Sequence, residues 1–229
     1  MIQQGEDLRF ERKAYIDHID RHSLISLVLT HPALFKKVHN ERIVNSLYFD
    51  TSNFSDAKEK IDGLKSRRKA RIRWYGTLFG EIQKPILEIK SKENGLGWKM
   101  RYPLHPFVIE PRRSPPIRLE YVDTAGTLLP KTMTMIRNPS SLISYRRLYF
   151  LSNDRRFRLT VDDQLRSYCP LKNSRGWTHN PENPPGIIIE LKYSKEDDDD
   201  ARQITSWYPF RWGAFSKYIH GLESAVRLF

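Results

Sequence analysis

The segment SRRKARIRWYG, residues 66–76, alternates between cationic and apolar side chains with a period of two residues. Successive side chains of a β-strand point to opposite faces of the sheet, so the cations share one face and the apolar residues share the other. The cationic face carries Lys69, Arg71 and Arg73, and the apolar face carries Ala70, Ile72 and Trp74. The alternation therefore predicts a strand with one apolar and one strongly cationic face.

The same alternation recurs in five further segments, with exceptions at Arg12 and Arg146. It places Arg156 with Arg158 on the charged face of RFRLTVDD, and Tyr145 with Arg147 on the charged face of SYRRLYF. Short turns such as Asn153 and Asp154 indicate antiparallel pairing, and about eight strands favour a barrel or a strongly curved sheet. No repeat or long linker divides the chain, so we predict a single α+β domain over residues 1–229. Strands are predicted at about 8–17, 43–50, 66–76, 82–92, 98–104, 144–152, 155–163 and 186–194, and helices at about 20–30, 55–62, 118–128, 198–207 and 214–226.

Two arrangements produce such strands. A sandwich with solvated outer faces alternates in this way, but its polar face is usually rich in Thr, Ser and Gln rather than in Arg and Lys. A barrel with its charges inside leaves an apolar outer face, which the apolar stripe Leu24, Ile25, Leu27 and Val28 of a predicted helix can cover. Because buried cations are costly unless they are solvated and paired, that barrel would be a water-filled tunnel for a polyanion.

The composition limits which binding partners and which cellular compartment are expected. Lys and Arg number 39 against 27 Asp and Glu, a net charge of +12, which favours an anionic partner such as nucleic acid, a phosphate compound or a membrane surface. The lone Cys169 excludes an internal disulfide framework and a multi-cysteine metal site. No apolar run is long enough to span a membrane, and the polar start lacks a signal-peptide core, so we expect a cytoplasmic protein. The acidic run 197–200 is interpreted as a helix start rather than a metal site.

Nine segments in order carry a resemblance to a known family: FERKAY, NSLYFDT, SRRKARIRWYG, LEIKSK, WKMRYPL, SYRRLYF, RLTVDD, IIIELKY and FSKYIHG. Together they resemble the VTC domain, the polyphosphate polymerase branch of the triphosphate tunnel metalloenzyme (CYTH-like) superfamily, over about Phe10 to Gly221. The resemblance implies an eight-stranded antiparallel β-barrel with helices packed outside and a basic tunnel. It also implies transfer of the γ-phosphate of ATP or another nucleoside triphosphate onto a growing polyphosphate chain.

The resemblance further implies roles for individual residues. The catalytic, phosphate-gripping set would be Lys13, Arg71, Arg73, Lys90, Arg147 and Arg158, and the further substrate-binding set Lys92, Lys99, Arg101 and Lys217. Glu190 would bind Mn²⁺ or Mg²⁺, because hard cations prefer oxygen ligands. Glu11 and Glu88 would be either additional metal ligands or partners that keep neighbouring cations charged and oriented, and Asp162 would be such a partner.

Three functions stay open at this point. Polyphosphate synthesis and hydrolysis of a triphosphate would use the same binding residues; Arg9, two residues before Glu11, departs from an acidic ExExK first strand and disfavours a hydrolase with several carboxylates there. A non-catalytic module for polyphosphate or nucleic acid is the third, since the tract Arg67 to Tyr75 could stack single strands. No RNP-type or helix-turn-helix signature supports nucleic acid. Four tryptophans are expected to pack in the core or against helices rather than to stack bases: Trp74, Trp98, Trp207 and Trp212.

Overall fold

The alternating segments form strands in the computed structural model, which describes residues 5–6, 9–64, 67–93, 96–112, 138–170, 176–179 and 186–226. The strands are β1 Gly5–Glu6, β2 Arg9–Ile16, β3 Lys36–Asp50, β4 Arg67–Tyr75, β5 Gly80–Ile82, β6 Ile86–Glu93, β7 Leu96–Pro103, β8 Phe107–Ile109, β9 Asn138–Leu151, β10 Arg158–Pro170, β11 Trp177–His179 and β12 Ile187–Ser194. The α-helices are α1 Arg21–Leu29, α2 Ser55–Ile61, α3 Asp198–Ser206 and α4 Lys217–Val226, and a 3₁₀ turn, Lys195–Asp197, precedes α3.

Most predicted elements are confirmed, with shifts at their ends. The strand predicted at 82–92 is divided into β5 and β6 around Pro85, which has no N–H to donate to a ladder. The helix predicted at 118–128 lies outside the described residues. None of the described helices has the length and apolar character that crossing a bilayer requires.

One curled antiparallel sheet contains ten strands, eight of them long. Nine follow the order β1-β7-β6-β4-β3-β9-β10-β12-β2, and β11 pairs with β10. The prediction of a closed barrel is not met: within the described ranges no ladder pairs β2 with β7, so the sheet remains a half-barrel. At the two edges, Gly5–Glu6 pairs with β7 and Arg9–Ile16 pairs with β12.

Apolar side chains cover the outer face of the sheet, as the alternation predicted. Leu24 and Val28 of α1 and Ile204 of α3 pack with the outward side chains of β12, such as Ile189. The second half of this face, which includes Ile72, is covered by the separate two-stranded sheet β5–β8. Burial of this face against helices and a hairpin leaves the opposite face of the strands for the charged residues.

The two arginines that interrupt the alternation lie on the outer face and are paired there. Arg12 donates to Asp198 Oδ1 at 3.0 Å and to Tyr193 Oη at 2.8 Å, which ties β2 to α3. Arg146 makes a two-pronged ion pair with Asp163, at 2.7 and 2.6 Å. Neither cation therefore enters an apolar core unpaired.

Helix α4 departs from the prediction that all helices pack outside. It lies against the charged, inner face, where Tyr218 donates to the buried Asp50 at 2.5 Å and stacks on Tyr48. A Cβ atom at Gly221 would lie 3.0 Å from the side chain of Ile143, so the glycine permits a close approach of helix and sheet. The helix thus fills part of the concave side of the half-barrel.

Candidate active site on the inner face

One carboxylate on the inner face collects four cations. Glu88 of β6 is in register with Arg71 of β4 and Arg101 of β7, so cross-strand neighbours place both guanidinium groups beside it. Glu88 Oε2 lies 2.7 Å from Arg71 Nη2 and 3.6 Å from Arg73 Nη1, and Glu88 Oε1 lies 2.7 Å from Lys99 Nζ and 3.0 Å from Arg101 Nε. We call these five residues the Glu88 cluster.

The electrostatics of the Glu88 cluster leave it short of negative charge. Burial alone would raise the pKa of Glu88, but the surrounding cations, Arg71 foremost, lower the pKa far below its usual range and keep the carboxylate ionised. Burial lowers the pKa of Lys99 to about 8; Glu88 opposes this shift, and the nearby guanidinium groups add to it. Four cations share one carboxylate, so an anionic ligand would bind favourably by reducing the repulsion among them.

A second group lies on β2, β9, β10, β12 and α4. The fully buried Asp162 receives a two-pronged hydrogen bond from Arg147, at 2.5 and 2.6 Å, and an ion pair from Lys217 of α4 at 2.6 Å. Glu190 pairs with Lys192 at 2.9 Å and lies in register with Lys13. Glu11 lies 2.7 Å from Lys13 Nζ and completes the group. We call it the Asp162–Glu190 cluster, and its members are Glu11, Lys13, Arg147, Asp162, Glu190, Lys192 and Lys217.

The donor set of this second cluster suits a divalent cation that shares its ligands with phosphate. Glu11 and Glu190 lie on adjacent strands and the same face; burial acts to raise both pKa values, but nearby Lys side chains lower them, so both stay ionised. The described residues contain no group of three or more His, Cys, Asp or Glu that could hold a metal alone. Mg²⁺ is commonly held by one or two carboxylates plus phosphate oxygens and water, which these two residues fit. Glu88, surrounded by cations, fits the orienting role instead.

Tyrosines connect the two clusters. The hydroxyl of Tyr145 lies 3.4 Å from Arg73 Nη2, and Lys217 Nζ lies 4.8 Å from the centroid of the Tyr145 ring. Arg71 similarly donates to Tyr48 Oη at 3.1 Å. Sequence reasoning placed Tyr145 on the right face but not in the site; its position two residues before Arg147 was the available signal.

The remaining residues that were predicted to bind phosphate lie toward the rims of the inner face. Lys90 is exposed and stands in register between Lys69 and Lys99. Lys92 follows on β6 opposite Arg67, and Arg158 is exposed at the start of β10, opposite Lys192.

Arg156 was grouped with Arg158 on the charged face, and that prediction is wrong. The residue precedes β10 and pairs with Asp154, Asp197 and Asp200, at 2.9, 2.8 and 2.7 Å. The acidic run therefore begins α3, as predicted, and is partly neutralised by this arginine outside the inner face.

The profile of the VTC domain family matches residues 8–226, and the chain belongs to this family. No curated protein sequence matches the chain significantly. Among solved structures, the protein PH1819 of Pyrococcus horikoshii OT3 is similar, with a TM-score of 0.52 and 11% identity over 96% of this chain and 99% of that one, and it supports the fold. PH1012 of the same organism has a TM-score of 0.45 and 11% identity, over 92% of this chain and 98% of that one. HpAC1 of Hippeastrum, a provisionally named adenylyl cyclase described with a dominant triphosphatase activity, has a TM-score of 0.43 and 14% identity, over 94% of this chain and 96% of that one.

Proposed function

We propose that this protein is a polyphosphate polymerase that transfers the γ-phosphate of a nucleoside triphosphate, ATP being the expected donor, to the end of a polyphosphate chain. The observation that carries the proposal is the Glu88 cluster, in which four cations surround one buried carboxylate on the concave face of a VTC domain. Such an excess of fixed positive charge suits a ligand with several phosphates, because guanidinium forks bind phosphate oxygens in pairs and ammonium groups supply point charges.

Each cluster has a part in this proposal. Arg71 and Arg73 would grip the triphosphate together with Lys99 and Arg101, whereas Lys90 and Lys92 would extend the cationic surface along β6. On the other side, Lys13, Arg147 and Lys217 would contact the phosphates near Glu190, with Arg158 at the rim. Asp162 would hold Arg147 and Lys217 in place, since it bonds both and is itself fully buried.

Glu190, with Glu11, would hold Mn²⁺ or Mg²⁺. When bound, such an ion would neutralise part of the charge on the phosphate oxygens and so favour phosphoryl transfer. The chain's own cations would bind and orient the phosphates in the same way with either ion.

Phosphoryl transfer requires little covalent chemistry from the protein. An oxygen of the terminal phosphate of the acceptor chain would form a bond to the γ-phosphorus, the bond from that phosphorus to the β–γ bridging oxygen would break, and the nucleoside diphosphate would leave. The fixed cations would stabilise the charge on the transferring group and hold the two oxygens in line.

Hydrolysis of a triphosphate is the second candidate, and helix α4 favours it. The helix lies against Tyr48, Ile143 and Ile188 on the concave face and covers part of the path that a long product would need. Water would then replace the polyphosphate chain as the acceptor, with the same cations binding the triphosphate.

One assay separates these functions. The protein is incubated with ATP and Mn²⁺, with and without a short polyphosphate primer, while ADP, free phosphate and chain length are followed together. We expect ADP and lengthening chains, with loss of both in Arg71→Ala and Glu190→Ala. The matched controls Arg156→Ala and Glu196→Ala alter exposed residues outside the inner face and should retain activity.

Free phosphate without chain growth would contradict the polymerase and support the hydrolase. Absence of turnover, with triphosphate still bound in the unaltered protein but not in Arg71→Ala, would leave a polyphosphate-binding module.

A further inference from the structure

Two tyrosines and an arginine form a stacked group on β3, β4 and β9. The guanidinium carbon of Arg42 lies 5.7 Å from the ring centroid of Tyr75 and 5.6 Å from that of Tyr149. We call these residues the Tyr75–Arg42–Tyr149 stack. No role in the site described above uses any of the three.

The stack continues the charged rows of the inner face. Tyr75 follows Arg73 by two residues on β4, and Tyr149 follows Arg147 by two on β9, so each tyrosine shares the face of its arginine. Arg42 is in register with Arg147, whose guanidinium carbon also lies 5.9 Å from the Tyr149 ring. Side chains two positions apart on a strand are separated by about 7 Å, so the stack lies one such step beyond these phosphate-binding candidates.

The stack remains open to a ligand. Tyr75 is 49% exposed, Arg42 lies in the half of β3 whose residues 36–43 are all exposed, and Tyr149 is half-buried. The register of β3 against β9 shifts between His39 and Arg42, and irregularities of this kind redirect side chains at the rims of sheets. Aromatic rings and guanidinium planes that are accessible together form a surface on which a planar, electron-rich group can stack.

We propose that the Tyr75–Arg42–Tyr149 stack binds the nucleobase of the nucleoside triphosphate. This inference rests on the proposed function, because it assumes that Arg73 and Arg147 hold the phosphates. A base on the stack would leave its triphosphate pointing along β4 and β9 toward the two clusters. Stacking uses the π-face that every base has, so we expect ATP and GTP to bind similarly.

The test compares a ligand with a base and a ligand without one. Dissociation constants for ATP and for inorganic tripolyphosphate are measured by calorimetry on the unaltered protein and on Tyr75→Leu, Tyr75→Phe and Phe10→Leu. Phe10 is the matched control because it is 43% exposed and packs against Tyr193 on the outer face. We expect Tyr75→Leu to weaken ATP binding at least about fivefold, which is the lower end for loss of one stacked base, and to leave tripolyphosphate binding within about twofold.

The two conservative variants complete the test. Tyr75→Phe keeps the ring and should bind ATP as the unaltered protein does, and Phe10→Leu should change neither ligand. Equal effects of Tyr75→Leu on ATP and tripolyphosphate, or no effect on either, would overturn the stacking site while leaving the proposed function intact. Failure of the unaltered protein to bind tripolyphosphate would instead contradict the proposed function, and the base site with it.

Discussion

The two clusters of the inner face contain the same number of cations but different numbers of carboxylates. The Glu88 cluster has four cations around one carboxylate, and these cations retain between 13% and 48% side-chain exposure. The Asp162–Glu190 cluster has four cations and three carboxylates, and its centre, Asp162, is fully buried. One half of the face is therefore positively charged and accessible, whereas the other is nearly balanced and more enclosed.

This difference separates two tasks that a polyanion site has to perform. Excess cations that water can reach are available to a ligand, since the ligand replaces water and needs to break few internal ion pairs. Carboxylates that are held ionised by neighbouring cations are structural supports, and where two of them face the ligand they can also accept a metal ion. The comparison predicts that substitutions in the Asp162–Glu190 cluster mainly reduce folding stability, whereas substitutions in the Glu88 cluster mainly reduce ligand binding.

The largest effect on stability is expected from Asp162→Asn. Removing one charge from a buried ion-pair group leaves Arg147 and Lys217 without their carboxylate, which costs about 3–5 kcal/mol. Urea unfolding of the variant should show this loss, whereas Asp199→Asn, at a side chain that is 93% exposed, should stay within about 0.5 kcal/mol of the unaltered protein. Similar values for the two variants would mean that the cluster does not support the fold.

Glu88→Gln should cost less stability and change the response to anions. Its cations are partly solvated, so we expect a loss of about 1–3 kcal/mol. Tripolyphosphate should then raise the melting temperature of Glu88→Gln by more than it raises that of the unaltered protein, because the ligand supplies the missing negative charge. A smaller ligand-induced rise in the variant would contradict the assignment of this cluster to anion binding.

The pKa of Lys99, lowered to about 8 by burial and neighbouring guanidinium groups, predicts a pH dependence of binding. As the pH rises through 8 the ammonium loses its proton, so affinity for tripolyphosphate should fall between about pH 7 and about pH 9, by up to about tenfold per unit above the pKa. Lys99→Arg remains charged over this range and should show a weaker fall. Identical pH profiles of the two proteins, measured by calorimetry, would exclude Lys99 as the titrating group.

The smallest effect is expected from Tyr145→Phe. The substitution removes the hydroxyl that lies 3.4 Å from Arg73 but keeps the ring beside Arg147 and Lys217. A loss of about 1 kcal/mol or less in tripolyphosphate binding follows from one long hydrogen bond. A much larger loss would show that the hydroxyl contacts the ligand directly.

The alternation in the sequence predicted the strands and the face of most charged residues, because side-chain direction on a strand follows from local geometry. Alternation alone could not predict the contacts of Lys99 and Lys217 or the pairing of Glu88 with four cations. These contacts depend on strand register and on the position of α4. The sequence could not show that Arg156 and Arg158 lie in different surroundings. The two-residue alternation can be counted past the end of a strand, where it no longer determines the face. Two of the three acid partners of Arg156, Asp197 and Asp200, lie more than 40 residues along the chain.

Helix α4 shows a second limit of sequence reasoning. The sequence predicted a helix at about 214–226, and the resemblance implied that it would pack outside the sheet. Gly221 and Ser141 allow it to approach the inner face, and Tyr218 reaches Asp50 across 168 positions in the chain. Contacts of such sequence separation follow from the folded arrangement and not from any local pattern.

The central claim is that the cations of the inner face bind a chain of phosphates. Calorimetric titration of tripolyphosphate into the unaltered protein, Arg71→Ala and Arg156→Ala, with and without Mn²⁺, tests it most directly. We predict binding to the unaltered protein and to Arg156→Ala, strengthened by Mn²⁺ in both, and loss of at least about tenfold in affinity for Arg71→Ala, as expected for removing a charged hydrogen-bonding fork. Equal binding by Arg71→Ala and Arg156→Ala, or no binding by any of the three, would contradict the claim.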